Sequence, residues 1–238
     1  IRRILGVKSQ SKDNTKPAIL GPKEHGINPQ LLSPNAVRVT QTLQEAGFNA
    51  FVVGGAVRDL LLGHKPKDFD IATNATPDQI KRLFRRAFII GKRFQIVHVM
   101  LGQEQLEVTT FRGASSDGSP KDEHGRVLRD NTFGEQHEDA VRRDFTVNAM
   151  YYDPASQTVL DYHGGIADIR NKTLRMIGVP EARFREDPVR LLRVVRFAAK
   201  LGFTIDPATR APIQVMAPLI DNVPMARVFD EMLKLLMS

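Results

Sequence analysis

The 238-residue sequence contains no cysteine and no tryptophan. Without cysteine there is neither a disulfide framework nor a thiolate metal site, and the chain reads as one suited to a reducing compartment, the cytoplasm by default. Long apolar runs are also missing: 50–53 and 60–62 fall far below the roughly 18 residues a membrane span requires, so a soluble protein with no membrane partner is expected. No internal repeat or low-complexity tract is present. What is there is globular in composition, 42% hydrophobic and 26% charged, and long enough to bury the core of one large or two modest domains without metal or disulfide staples. The chain begins at Ile1 rather than methionine and ends on apolar residues without a helix stop signal, so a longer protein is expected.

Negative charge is in deficit. The 34 Lys and Arg residues exceed the 27 Asp and Glu, for a net charge of +7. More than half of that excess lies in residues 1–26, where Arg2, Arg3, Lys8, Lys12, Lys16 and Lys23 face only Asp13 and Glu24. Breakers interrupt this segment and no apolar period runs through it. It therefore reads as a flexible basic arm over residues 1–30, either a contact for a polyanion such as RNA or a solvated tail.

Ordered structure is expected to begin at Ser33-Pro34, a serine cap with proline at the first helical position, followed by Ala36, Val39, Leu43 and Ala46 on one face and closed by Gly47. Residues 50–53 read as a strand, Gly54-Gly55 as a turn, and Val57, Leu60 and Leu61 as the next helix. A second strand is predicted over 67–72, and Thr76-Pro77-Asp78-Gln79 supplies a capping box for a helix reaching Arg86. A strand at 88–90 and a hairpin of 95–101 with 105–111 complete a sheet. Residues 113–137 read as a long loop and helix resumes near Glu138. From about residue 179 the pattern is helical alone, with Asp187-Pro188 and Asp206-Pro207 as Asp caps, Gly202 as a helix terminator, and Pro224 opening a helix through Val228, Leu233 and Leu236.

The chemistry-bearing cluster is Gly54-Gly55-Ala56-Val57-Arg58-Asp59 followed by Asp68-Phe69-Asp70. Residues two apart on a strand share a side, so Asp68 and Asp70 project together while Phe69 turns inward. Two like charges held this close repel unless a cation lies between them, and hard oxygen ligands suit Mg²⁺ bound jointly with substrate phosphates. The glycine pair at a helix start brings backbone N–H groups near a triphosphate, with Arg58 as a further phosphate partner. The combination reads as metal-dependent nucleotidyl transfer. Arg190, Arg193 and Arg196 recur every third residue on a helix face with no carboxylate between them, a pattern that seeks anions.

These motifs, with Arg142-Arg143-Asp144-Phe145-Thr146-Val147-Asn148-Ala149 and Glu186-Asp187-Pro188-Val189-Arg190, resemble the bacterial poly(A) polymerases and CCA-adding tRNA nucleotidyltransferases over residues 35–238. The resemblance implies an α+β fold: a polymerase-β-like nucleotidyltransferase head with a small mixed sheet over 31–178, followed by an all-helical neck over 179–238 that binds nucleotide and RNA. It makes Asp68 and Asp70 ligands of two Mg²⁺ ions. Glu107, in a segment matching Glu-Val-x-x-Phe, becomes a third catalytic carboxylate, against the alternative of an exposed strand position. Asp144 joins the catalytic set. Gly54, Gly55, Arg58, Asp59, Arg112, Arg143 and Asn148 are implied to bind nucleotide. Asp187 and Arg190 would read the base edge, with Arg193 and Arg196 near the nucleotide; a helix cap is the competing role for Asp187. His98 reads as sheet-packed, and His124, His137 and His163 show no metal spacing.

Within that family, residues 91–99, 113–137 and 128–134 look like the poly(A) polymerase branch. The implied activity is AMP addition from ATP to RNA 3′ ends, with pyrophosphate released. The alternatives are CCA addition to tRNA from CTP and ATP, or a basic RNA-binding module that has lost transfer.

Overall fold

The structure is a computed structural model that describes residues 15–91, 95–113 and 132–237. Along the chain the elements are β1 (Ala18–Leu20), α1 (Pro22–His25), α2 (Pro34–Glu45), β2 (Ala50–Val53), α3 (Gly55–Leu61), β3 (Asp70–Thr73), α4 (Pro77–Leu83), β4 (Ala87–Ile90), β5 (Ile96–Leu101) and β6 (Glu104–Thr110). There follow α5 (Gln136–Arg142), β7 (Met150–Asp153), β8 (Thr158–Asp161), α6 (Gly165–Arg170), β9 (Thr173–Leu174), α7 (Pro180–Glu186), α8 (Val189–Leu201), β10 (Thr204–Ile205), α9 (Pro207–Arg210), α10 (Ile213–Met216) and α11 (Met225–Leu236).

The helix starts obey local chemistry. Ser33 accepts from the N–H groups of Asn35 and Ala36, Thr76 and Gln79 form the reciprocal capping box, and Asp206 accepts from the Thr209 N–H. Helix α4 nevertheless stops at Leu83, short of Arg86, where Phe84 turns extended and the chain runs into β4.

The fold is α+β with a mixed sheet, and the sheet is eight strands wide in the order β1-β8-β7-β2-β3-β6-β5-β4. Every pair is antiparallel except β3 with β6. The main apolar core lies under α2, α3 and α4 and runs without a break into α8, where Leu191, Val194 and Phe197 join it. A smaller core of Val53, Ala72, Phe111, Ala140 and Tyr151 is separate from it. Because Val52 and Val53 are adjacent on β2 and fall in different clusters, the two cores lie on opposite faces of the sheet.

Two expectations fail at the periphery. The basic arm was expected to lack structure to residue 30, yet β1 pairs with β8, His25 is buried with its Nε2 against the Gln157 carbonyl, and Asn28 caps a short 3₁₀ turn. Arg2, Arg3, Lys8 and Lys12 lie outside the described residues. The neck is not purely helical either, since β10 pairs in parallel with β9. Arg175 reinforces this seam by bridging Asp168 and Asp206.

Candidate active site

Three strands meet at Asp70. In register it lies between Val53 of β2 and Glu107 of β6, and the parallel β3–β6 pairing places its carboxylate beside that of Glu107. Asp68 comes just before the strand rather than within it, but the expected alternation holds, with Phe69 buried and both aspartates exposed. Although Asp70 reaches solvent, partial burial, then the Glu107 and Asp68 carboxylates, together raise its pKa to about 6 against the opposing pull of Arg143. Among the described residues no donor hydrogen-bonds the Asp70 carboxylate. Two neighbouring carboxylates that lack a donor, one of them reluctant to ionise, are a donor set that fits a hard divalent cation shared with phosphate oxygens. No group of three or more His, Asp or Glu side chains among the described residues is gathered closely enough to hold a metal unaided. Glu107 is half-exposed and has the His98 ring 3.6 Å from its carboxylate, so the expected sheet histidine touches the site's edge.

Val53 ends β2 and Gly54 turns the chain into α3 at φ 70°, ψ −135°, a conformation closed to side chains. A Cβ on Gly54 would stand 3.6 Å from Arg143 Nη1 and 3.9 Å from Asp70 Oδ2, so bare backbone lies against both charges. Gly55 starts the helix and packs against the Arg58 guanidinium. Arg58 itself is buried. It donates to Asp59 at 2.6 and 2.8 Å and to Asn148 Oδ1 at 2.7 Å, which makes it an internal tie rather than the open phosphate contact expected.

The Arg142-Arg143-Asp144 run straddles the end of the helix expected from Glu138 onward. Helix α5 ends at Arg142, and the chain turns extended so that Arg143 and Asp144 point different ways. Arg143 donates to Asp139 Oδ2 at 3.0 and 3.3 Å and to the Tyr151 hydroxyl at 3.2 Å. Asp144 accepts from the Phe145 N–H and the Asn148 amide, and pairs with Arg193 at 2.5 Å. Burial pushes the Asp144 carboxyl up, but Arg193 and these donors outweigh it and hold the group below the usual carboxylate range. Arg112 bridges to Phe133 and gives its N–H to Asp139, and burial lowers its own pKa.

In the neck, the anions sought by the arginine ladder are the protein's own. Arg190 pairs with Glu186, Arg193 with both Asp144 and Glu231, and Arg196 with Glu231 at 2.6 Å. Arg58, Arg193 and Arg196 all lie against the Phe197 ring, at 5.4, 5.1 and 4.2 Å. Asp187 is not an N-cap. It ends α7 with an extended backbone, its side chain caps nothing, and its two oxygens take Arg227 of α11 at 2.9 and 3.1 Å. Asp187, Arg193, Arg227 and Glu231 border one cavity of about 260 Å³.

The structure thus gathers Asp68, Asp70, Glu107, Gly54 and Arg143 at one end of the sheet and links Asp144 to the neck arginines. Asp139, Tyr151, Phe197, Arg227 and Glu231 were missed. Only Asp139 left a local trace, four residues before Arg143, which lies just past the end of α5. Lys92, Arg93, His124 and the stretch 128–131 lie outside the described residues. His137 and His163 join no group of metal-ligating side chains among the described residues.

The family model for the poly A polymerase head domain matches residues 50–175, and a model described as a probable RNA and SrmB-binding site of polymerase A matches 202–238. Poly(A) polymerase I of Salmonella typhi is 52% identical over 92% of this chain and 49% of its own length. That of Haemophilus influenzae is 46% identical over 97% of this chain and 52% of its own. The crystal structure of a Bacillus stearothermophilus CCA-adding enzyme in complex with CTP superposes with a TM-score of 0.75 at 38% identity, covering 86% of this chain and 49% of that one. The chain spans about half the length of the curated relatives it matches. No helix among the described residues is long and apolar enough to cross a membrane.

Proposed function

Because this chain belongs to the poly A polymerase head-domain family, we propose that its protein adds AMP from ATP to RNA 3′ ends without a template. In this reaction the RNA 3′ oxygen attacks the α-phosphorus, the bond to the oxygen bridging to the β-phosphorus breaks, and pyrophosphate leaves. The hydroxyl proton is released to solvent, which Asp68 and Asp70 face. The observation that carries the proposal is Asp70, raised to about pKa 6 between Glu107 and Asp68 and set against the bare Gly54 turn and Arg143.

Asp68 and Asp70 are the residues proposed to hold Mg²⁺, with Glu107 beside them as a third catalytic carboxylate. When bound, the metal would stabilise the charge that develops on the transferring phosphoryl group. The chain's own residues do the rest. Gly54 and Gly55 keep side chains away from the phosphates, and Arg143 offers them a cation. Asn148 fixes Arg58 and, through it, Asp59 beneath the turn, and Asp144 orders Arg193 at the edge of the nucleotide site. Asp187 and Arg190 are proposed to read the base, with Arg112 at the rim. We assign residues 18–178, which include the edge strand β1, to the head and 179–238 to the neck, with RNA entering along the neck and the basic N-terminal residues, and place the activity in the cytoplasm. The greater identity to poly(A) polymerases than to the CCA-adding structure supports ATP over CTP.

The test is incubation of the purified protein with a 5′-labelled RNA, Mg²⁺ and each nucleoside triphosphate separately. ATP is expected to extend the RNA by many residues. Efficient CTP incorporation that stops on completion of a tRNA end would replace this reading with CCA addition. No incorporation from any nucleotide, with RNA binding retained, would leave a binding module.

A further inference from the structure

Arg143 and Asp70 present a puzzle of opposite charges. Both border the Gly54 turn, within 4 Å of the same point in space, and yet they form no ion pair. An arginine free to choose would fold onto the carboxylate and neutralise it. Instead one edge of the guanidinium is held elsewhere: Nε and Nη2 donate to Asp139 Oδ2, and Nε also reaches the Tyr151 oxygen. Among the described residues no hydrogen bond uses Nη1, the nitrogen that faces the turn. The Tyr151 hydroxyl donates in turn to Asp139 Oδ2 at 2.6 Å, closing a triangle of three side chains.

That triangle has a rigid base. Tyr151 is fully buried, and Phe51, Phe111 and Tyr162 meet its ring edge-on at 6.0–6.2 Å, so the hydroxyl has one place to be. Asp139 is buried as well and receives the Arg112 N–H at 3.2 Å. The guanidinium also lies over the Tyr151 ring, 5.2 Å from its centre. The smaller core on the second face of the sheet therefore anchors a cation at the rim.

From this geometry we infer that Asp139 and Tyr151 are positioning residues, which hold Arg143 off Asp70 and leave its Nη1 edge open to the polyphosphate of the incoming nucleotide. The inference rests on the nucleotidyl-transfer reading for the identity of the anion. A planar guanidinium with one edge locked loses little freedom on binding a phosphate oxygen, whereas one that must first break a pair with Asp70 loses affinity. Separation of the two charges also leaves Asp70 available for a cation.

The experiment uses Tyr151→Phe, which keeps the ring and removes the hydroxyl, and Asp139→Asn as a harsher companion whose fold is checked by thermal melting. Binding of inorganic tripolyphosphate is measured by calorimetry, beside steady-state kinetics with ATP. Tyr151→Phe is expected to weaken tripolyphosphate binding and raise KM for ATP by about five- to tenfold, the scale of one ordinary hydrogen bond, with kcat within about twofold. In an Arg143→Gln background the same substitution should change neither quantity. Unaltered binding in Tyr151→Phe, an undiminished loss in the Arg143→Gln background, or a wild-type protein that ignores tripolyphosphate would each overturn the inference. If the wild type binds tripolyphosphate in a Tyr151-dependent way but transfers no AMP, the positioning stands and the transferase reading falls. AMP transfer with Kd and KM unmoved gives the reverse.

Discussion

Glu231 is the carboxylate on which the junction between α8 and α11 turns, and its removal has a magnitude that can be worked out. Its side chain is only 8% exposed and receives Arg196 Nε at 2.6 Å and Arg193 Nη1 at 3.3 Å, Arg196 itself being 10% exposed. Glu231→Ala strands a buried guanidinium whose remaining contact is the face of Phe197, and breaking a buried pair from one side costs about 3–5 kcal/mol. Glu231→Gln keeps an acceptor oxygen and loses the charge, for about 1.5–3 kcal/mol. At roughly 2–4 °C per kcal/mol for a chain of this size, the alanine variant should melt about 10 °C lower and the glutamine variant fall between it and wild type. The assay is calorimetric melting with urea denaturation as a second measure. A cycle with Arg196→Met completes it, because removing both partners should cost less than the sum of the single changes. An alanine variant within about 1 kcal/mol of wild type, or additive effects in the cycle, would refute the account of Glu231 as a buried cross-link.

Asp70→Asn should abolish AMP transfer yet raise the melting temperature at neutral pH without divalent cations. The folded pKa of about 6 exceeds the ordinary 3.8, so the native state is penalised once pH rises through that interval, and the gain from asparagine should vanish below pH 4; a gain that is constant with pH would contradict this. Gly54→Ala places a side chain at φ 70°, ψ −135° and should cost about 1–3 kcal/mol, read as a lowered urea midpoint; a neutral effect would show that the turn relaxes. Asp187→Ser removes the partly exposed pair with Arg227 and should alter stability by less than about 1 kcal/mol, while discrimination between ATP and CTP in primer extension should fall. Unchanged discrimination would move base reading to Arg190.

The elements legible in the sequence are those whose causes lie within a few residues. Ser33, Thr76 and Asp206 cap because the N–H groups they satisfy are two or three positions away, and the Gly54 turn and the hairpin of β5 with β6 are equally local. Asp187-Pro188 carried the same local signature as Asp206-Pro207 and failed, because Arg227, forty residues on, claims its oxygens. The arginine ladder showed its spacing but not its partners, since Asp144 and Glu231 arrive from other elements. Strands β1 and β10 were invisible: three and two residues hold no period, and only a distant partner makes them strands. The paired aspartates were readable, whereas Glu107 needed the parallel register with β3 to become their neighbour.

The edge strand β1 has a consequence for the making of the protein. Ala18 pairs with Asp161, so the strand that closes one side of the sheet waits for a partner synthesised 143 residues later. At ribosomal rates of about 5–20 residues per second, that is an interval of roughly 7–30 seconds during which the Ala-Ile-Leu segment has no sheet to join. The head therefore assembles around β2, β3 and the β4–β6 meander while its own first strand hangs free beside the basic residues that precede it. The flanking charges keep a nascent apolar edge from meeting others of its kind. Of the eight strands of this sheet, the earliest in the chain is thus among the last that can pair.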